Sequence, residues 1–393
     1  MAETFDVVIA GGAVMGSSTA YHLAADPGFS GRVLVVEKDM TYAKSATALS
    51  LSSIRQQYSA AVNVRVGLAG VAFLKSAKQT LEVNGEGPDL PITENGYLYL
   101  AGEAGAAILR ENHVVQQAEG ANIALLPPDD LATRYPFLKL DGVALGALGL
   151  TGEGWFDSYG LLQAFRRKAR SLGVVYREDK VVAVEREGAR VTGVRLAGGE
   201  TIGCGAFLDS AGASGAAELA RGLGVEIPVS SRKRCVFVFE AKDHWPKLPL
   251  IINTDGVYFR PEGRHYVCGY SPPEEIDPEC HDFEVVWSEF DDVLWPSMAA
   301  RVPALESLKL VRAWAGHYDL NLFDHNAIVG KLPGYDNAYL AAGFSGHGVQ
   351  QSPAVGRGLA ELIAHGAYRA LDLTDFAFER IAAGRPVLER NVI

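Results

Sequence analysis

Cysteine is scarce in this chain: Cys204, Cys235, Cys268 and Cys280 are its only four, widely separated and without the close spacing of metal ligands. That excludes a disulfide scaffold, leaves no metal site to expect, and predicts free thiols in a reducing compartment. Long apolar runs are missing too. The most apolar helical stretch, residues 60–74, is interrupted by Asn63 and Arg65, so no membrane span is expected. The first strand begins near Phe5, which leaves no room for a signal peptide, and a cytoplasmic location is the expectation. Nor does any basic run stand out. Thirty-six Lys and Arg against 47 Asp and Glu give a net charge of -11, which argues against nucleic acid as a partner.

What is present describes an ordinary globular protein, 48% hydrophobic and 21% charged, whose 393 residues are enough for two domains. The first forty residues organise the rest. Residues 5–10 are an apolar run, residues 11–16 read Gly-Gly-Ala-Val-Met-Gly, residues 17–25 read as helix, and residues 32–36 form a second apolar run ending at Glu37. Strand, Gly-rich turn, helix, strand and acidic residue are the order of a dinucleotide-binding unit. Gly11 permits the tight turn, the helix N-terminus can face a pyrophosphate, and Gly16 allows close packing on the sheet. Glu37 falls where a carboxylate can take the ribose hydroxyls, and it would repel a 2′-phosphate. Ala13 stands where the middle glycine is usual, so the turn must adjust around a methyl group.

Further along, residues 39–53 are small and polar, a wrapping loop for a cofactor. Residues 59–83 carry a helical apolar stripe, residues 141–154 hold five glycines and read as turns, and residues 282–298 have a helical period. Short strands are expected at 174–176, 180–186, 189–196, 206–209, 235–240, 256–260, 266–269 and 308–315. Gly/Pro junctions suggest a dinucleotide-binding domain from residues 1–85, 150–227 and 325–393, and a sheet-rich α+β substrate domain from 86–149 and 228–324. Near the end, strand-like residues 338–342 run into Gly343-Phe344-Ser345-Gly346-His347-Gly348-Val349-Gln350-Gln351 and then a helix to about His365. The N-terminus of that helix offers unpaired N–H groups and partial positive charge.

The amino-terminal block, Asp209 to Gly212 and the 344–351 block together resemble the D-amino-acid oxidase superfamily, on its sarcosine oxidase and glycine oxidase side. Residues 54–58, Ile-Arg-Gln-Gln-Tyr, and residues 343–351 look most like the mitochondrial FAD-dependent oxidoreductase domain-containing proteins and their bacterial relatives. The resemblance implies an α/β chain with a Rossmann-type FAD-binding domain in the glutathione-reductase-like manner. It implies FAD with its adenosine half on the amino-terminal unit and its ring at the domain junction, and hydride transfer from the carbon beside a nitrogen to flavin N5, giving an imine that hydrolyses. Carried over by position, Gly11, Ala13, Val14, Met15, Gly16, Glu37, Lys38, Ser45, Thr47, Ser52, Ser53 and Arg55 line the cofactor route. Val182 falls near adenine, Ala211 and Gly212 follow a strand end, and Gly316, Gly346, His347, Gly348, Val349 and Gln350 face the ring.

Departures from the family pattern sharpen the reading. Gly316 stands where sarcosine oxidases carry a flavin-linked cysteine, and His22 lies too far upstream to serve instead, so non-covalent FAD is implied. Tyr318 replaces the carboxylate-binding arginine of glycine oxidases, Gln350 replaces a sarcosine oxidase lysine, and Val267 matches the lysine that activates oxygen, with Lys233 a possible substitute. Arg260 is then the first choice for a substrate carboxylate, with His265 and His317 behind it, because a guanidinium suits a planar carboxylate. Tyr258 and Tyr318 would orient the substrate, and His347 would touch the flavin and need not act as a base. The implied activity is oxidation of a small secondary amino acid, an N-substituted glycine such as iminodiacetate or sarcosine, by a monomer or small homo-oligomer with oxygen as acceptor. The alternative is a dehydrogenase, electron-transfer flavoprotein or respiratory-complex assembly factor with another acceptor. An NAD-dependent enzyme would leave the 343–351 block without an account.

Overall fold

In the computed structural model, which describes residues 3–390, the strand Thr4–Ala10 lies inside an eight-stranded sheet. It pairs in parallel with Val33–Glu37 on one side and Thr201–Asp209 on the other. Val175–Glu178 extends the sheet beyond the first, Ala338–Ala342 beyond the second, and antiparallel Ile328–Lys331 closes that edge. The apolar run reads as continuous because both faces of the strand are covered. Val7 and Ile9 meet the helices Val14–Ala25, Ser158–Ser171 and Gly348–His365 through Leu161, Phe165 and Leu359. Phe5 and Val8 face the antiparallel strands Val181–Glu187 and Arg190–Leu196 and the helix Ala216–Gly222.

Close approach at the turn needs glycine at position 16, where a Cβ would stand 1.9 Å from the Gly11 carbonyl oxygen. The first and last long helices meet equally closely: Ser18 Oγ donates to the Ser352 carbonyl at 2.7 Å, and a Cβ on Gly356 would meet that hydroxyl at 2.2 Å.

A second eight-stranded sheet is built from residues 97–149 and 229–321. Its order is Leu308–Asn321, Val229–Ala241, His265–Gly269, Tyr258–Glu262, Leu250–Ile252, Tyr97–Ala101, Leu145–Gly149 and Ile123–Leu126. All pairs are antiparallel except Leu250–Ile252 with Tyr97–Ala101. One face buries Phe237, Phe239, Phe259 and Leu294; the other carries Tyr97, Ile252 and Tyr258.

Three local expectations change. Residues 141–154 are not merely turns: they contain the buried strand Leu145–Gly149, whose glycines leave room for neighbours. A Cβ at Gly146 would press on Leu131, and one at Gly149 would stand 1.9 Å from Glu153 Oε2. The loop 39–53 holds a short helix, Ala46–Leu49. Residues 282–286 are not helical: the Glu284 N–H turns back to Asp282 Oδ1 at 2.9 Å, and Lys233 Nζ holds the same oxygen at 2.8 Å; helical structure starts at Trp287. Among the described residues no helix is long and apolar enough to cross a membrane, and no group of acidic, His or Cys side chains could hold a metal ion. All four cysteines are free.

Candidate active site

The Gly-rich turn stands between two hollows. On one side Gly11, Glu37, Lys38 and Ala211 line a pocket together with Val181. Gly11 adopts φ +92°, and a Cβ there would lie 2.4 Å from the Ser210 carbonyl oxygen, so only glycine fits the turn. Glu37 is tied down by two backbone donors, Gly12 N–H to Oε2 at 2.8 Å and Asp39 N–H to Oε1 at 3.0 Å. Burial nevertheless raises its pKa above the ordinary carboxylate value, the two N–H groups opposing that rise.

On the other side, a cavity opens at the junction of the two sheets. Ala13, Val14, Met15, Thr47, Ser52, Ser53, Arg55 and Gly212 line it from the first sheet's side. Tyr258, Gly316 and Tyr318 line it from the second sheet, and Gly346, His347, Gly348, Val349 and Gln350 form its end. Thr47 Oγ1 accepts from the Val14 N–H at 3.4 Å, which ties the wrapping segment to the start of the first helix. Gly346 has φ +91°, and a Cβ there would come within 2.4 Å of the Tyr318 ring, so the ring and the turn define each other's shape. Gly316 lets Leu49 approach, since a Cβ would sit 3.0 Å from the Leu49 Cβ.

Buried Arg55 organises one corner. Its guanidinium reaches His347 Nε2 at 2.8 Å and the Tyr99 hydroxyl, and it lies 4.8 Å from the Tyr58 ring centroid. Its backbone N–H donates to Gln350 Oε1 at 2.9 Å, while Gln350 Nε2 donates to the Tyr58 hydroxyl at 2.5 Å. Glu153 secures the following residues, accepting from Gln56 N–H at 2.6 Å, Gln57 N–H at 3.0 Å and Gln57 Nε2 at 2.8 Å. Burial pushes the Glu153 carboxyl up to about 7.

Several of the expected site residues line neither hollow. Arg260 does not line this cavity: it is 4% exposed, pairs with Glu262, donates to the Leu51 carbonyl at 2.9 Å and covers the Trp155 ring at 4.5 Å. Strand alternation puts Tyr258 and Arg260 on one face, but residues 50–52 come between them, so they face different cavities. Val182 is 46% exposed, and alternation turns its neighbour Val181 inward instead. Ser45 caps the helix Ala46–Leu49, its Oγ accepting from the Ala48 N–H at 3.1 Å. Gly16 packs against the turn and lines neither hollow. His265 pairs with Glu240, Lys233 with Asp282, and Val267 lines the cavity of Arg260. His317 lines the junction cavity, yet its Nε2 is 2.7 Å from the Asp282 carbonyl oxygen.

Residues that sequence reasoning did not single out complete the walls. Arg234 lines the cavity but is committed to Asp277 through two parallel contacts of 2.9 and 2.8 Å. Asp319 also lines it, and its backbone carbonyl accepts from the Ser345 N–H at 3.1 Å. Burial raises the Asp319 carboxyl to about 6, opposed by N–H groups of Phe344 and Gly343, so this acid secures the entrance to the last helix. Tyr97 arrives through the parallel pairing with Leu250–Ile252. No local sequence signal marks these positions, because strand pairing brings them together.

The arrangement fits a dinucleotide that carries a flat redox ring. A glycine turn that a Cβ would fill separates a Glu37 pocket from the junction cavity, and the N–H groups of the helix Gly348–His365 begin at the cavity's end. The model of the FAD dependent oxidoreductase family matches residues 6–362. The chain is 41% identical over 427 residues to FAD-dependent oxidoreductase domain-containing protein 1 of Xenopus laevis, an alignment covering 100% of this chain and 85% of that protein. It is 27% identical over 375 residues to sarcosine oxidase subunit beta of Rhizobium meliloti (strain 1021), covering 92% of this chain and 85% of that one. Among solved structures, L-proline dehydrogenase from P. horikoshii is similar with a TM-score of 0.86 at 25% identity, over 98% of this chain and 100% of that chain.

Proposed function

Since the chain belongs to the FAD dependent oxidoreductase family, we propose that it oxidises the carbon–nitrogen bond of a small secondary amino acid, an N-substituted glycine of the sarcosine or iminodiacetate kind. The observation that carries this reading is the junction cavity, which sets the guanidinium of Arg55 beside the glycine-flanked entrance to the last helix. The relatives named for sarcosine oxidase and proline dehydrogenase act on secondary amines, which supports the substrate class.

Bound FAD supplies the hydride acceptor, its N5 atom. The Gly11–Gly16 turn and the N–H groups behind it would hold the pyrophosphate, and Glu37 would take the ribose hydroxyls. The N-terminus of the helix Gly348–His365, at the end of the cavity, would stabilise negative charge on the reduced ring. Non-covalent binding is the form this lining supports: among the described residues no cysteine lines the cavity, Gly316 has no side chain to offer, and the histidines His317 and His347 have their Nε2 atoms 2.7 Å from the Asp282 carbonyl oxygen and 2.8 Å from the Arg55 guanidinium.

Arg55, rather than Arg260, binds the substrate carboxylate. It lines the cavity, and its planar fork suits a carboxylate. Tyr258 and Tyr318 flank the remaining space and fix the orientation of the carbon to be oxidised. An arginine can only donate, so His347 Nε2 accepts from Arg55 and carries its proton on Nδ1. His347 therefore orients Arg55 and is not the base. Product analysis tests the reading: incubation of the FAD-loaded protein with iminodiacetate and an excess of a two-electron acceptor, oxygen or a soluble quinone, should yield glyoxylate and glycine in equal amounts. Absence of products from iminodiacetate, sarcosine and other N-substituted glycines would sink it.

A further inference from the structure

A second cavity of about 580 Å³ lies against the first. Ser50, Leu51 and Ser52 line both, so a partition one chain thick separates them. That partition is braced from the outer side: Trp314 Nε1 donates to the Leu49 carbonyl at 3.0 Å, Arg260 to the Leu51 carbonyl at 2.9 Å, and the Phe156 N–H to the Ser52 carbonyl at 3.0 Å. Ser52 itself holds φ +58°, a left-handed conformation unusual for a residue with a Cβ.

We propose that this outer cavity is the docking site for the electron acceptor, a small planar quinone. The proposal rests on the FAD-dependent reading of the inner cavity. Three observations choose the occupant. The outer cavity is lined by aromatic and proline side chains, among them Trp155, Trp314, Phe156 and Pro261, which suit a flat apolar ring. Its charges balance: Arg260 and Arg312 face Glu262 and Asp157, so it selects a neutral molecule over a small anion. Finally, Arg260 lines the cavity with hydrogen-bonding capacity to spare, since its buried Nε has no partner, and a carbonyl oxygen at the guanidinium would use that capacity.

Substrate oxidation delivers two electrons and one proton to the cofactor as a hydride. These, with a second proton from solvent, convert the two carbonyls of the quinone into two hydroxyls and return the cofactor to its oxidised form. The thin partition keeps donor and acceptor near one another while excluding the quinone from the substrate's place. Arg260, the residue expected to hold a substrate carboxylate, instead props the partition and serves the acceptor.

The test uses holoprotein whose flavin has been reduced photochemically under anaerobic conditions, so that it does not depend on which amine is the substrate. A short-chain dimethoxy-benzoquinone is mixed in and return of flavin absorbance is followed; in parallel, the same quinone is titrated against tryptophan fluorescence of the oxidised protein. Arg260→Gln removes the donor. Thr93→Phe, at an exposed position on the cavity wall, fills the space without adding an indole and leaves the buried pair intact. Both variants should slow quinone-driven reoxidation at least about tenfold and weaken quenching to match, with photoreduction unchanged. Should Arg260→Gln fail to fold, Thr93→Phe decides alone. Reoxidation and quenching equal to the parent in Thr93→Phe would overturn the proposal, as would a parent that neither binds the quinone nor is reoxidised by it. Protein that holds no flavin at all would instead overturn the functional reading beneath it.

Discussion

Arg55 and His347, 292 positions apart in the chain, meet side chain to side chain at 2.8 Å in the wall of the junction cavity. The contact joins the segment after the wrapping loop to the N-terminus of the last long helix. It also settles the tautomer of the histidine, because the arginine has only donors to offer.

From this pair follows a split between binding and chemistry. Arg55→Lys keeps the charge but loses the planar fork, and it should raise the substrate concentration needed for half-maximal rate by about tenfold or more, with a smaller effect on the limiting rate. His347→Asn should slow flavin reduction by less than about a hundredfold, below the usual loss for a general base. Stopped-flow reduction over a range of substrate concentrations measures both. A larger loss in His347→Asn would restore the histidine as a base.

Glu37 accepts from Gly12 and Asp39 and reaches the pocket beyond the turn. Glu37→Ala should weaken FAD binding by roughly 1.5–3 kcal/mol, the scale of hydrogen bonds to a charged group. Titration of apoprotein with FAD reads the difference directly. Equal dissociation constants would remove Glu37 from the ribose.

Gly346→Ala should be far more damaging than Gly348→Ala. The first puts a Cβ at φ +91° and 2.4 Å from the Tyr318 ring; the second places one 3.2 Å from the Phe344 Cβ. Backbone strain alone costs about 1–2 kcal/mol at such a position. Thermal unfolding and FAD retention of the two variants should separate in that order. Similar behaviour would show that the turn relaxes around the methyl group.

Asp209 supplies a pH signature. One carboxylate oxygen accepts from the Ala211 N–H at 3.1 Å, the other is buried without a partner, and burial pushes the pKa up to about 8. The folded state therefore holds a proton that the unfolded state has released between about pH 4 and pH 8. Stability contributed by this group falls as pH rises through that window and levels off above it. Asp209→Asn should thus gain on the parent from pH 5 to pH 8 by more than about 1 kcal/mol, since each pKa unit is worth about 1.36 kcal/mol. Urea unfolding at saturating FAD, with parallel pH curves as the contrary result, checks this.

What could be read from the chain alone was local. The turn from Gly11 to Gly16 and the helix entrance at Gly346 to Gln350 are contiguous, and their glycines and apolar runs carry their own geometry. The opposite wall is not contiguous. Arg234 comes to the cavity on a strand registered against Gly316, and Tyr97 through a parallel pairing with Leu250, contacts set by sheet register and not by neighbours in sequence. Arg260 is not legible as an outsider for a related reason: it shares a face with Tyr258, but two strand residues span about 7 Å, and the intervening chain at residues 50–52 assigns each to its own cavity. Gly146 and Gly149 misled in another way, since glycines that signal turns in isolation here make space for Leu131 and Glu153 within a strand.

The central claim is oxidation of a secondary amino acid held by Arg55. The most direct measurement mixes the FAD-loaded protein anaerobically with N-substituted glycines, primary D- and L-amino acids and 2-hydroxy acids, and follows the flavin absorbance. The account predicts bleaching by at least one N-substituted glycine in preference to every primary amino acid, with the required concentration raised in Arg55→Lys. Bleaching by primary amino acids or hydroxy acids alone, or an unchanged concentration dependence in Arg55→Lys, would contradict it.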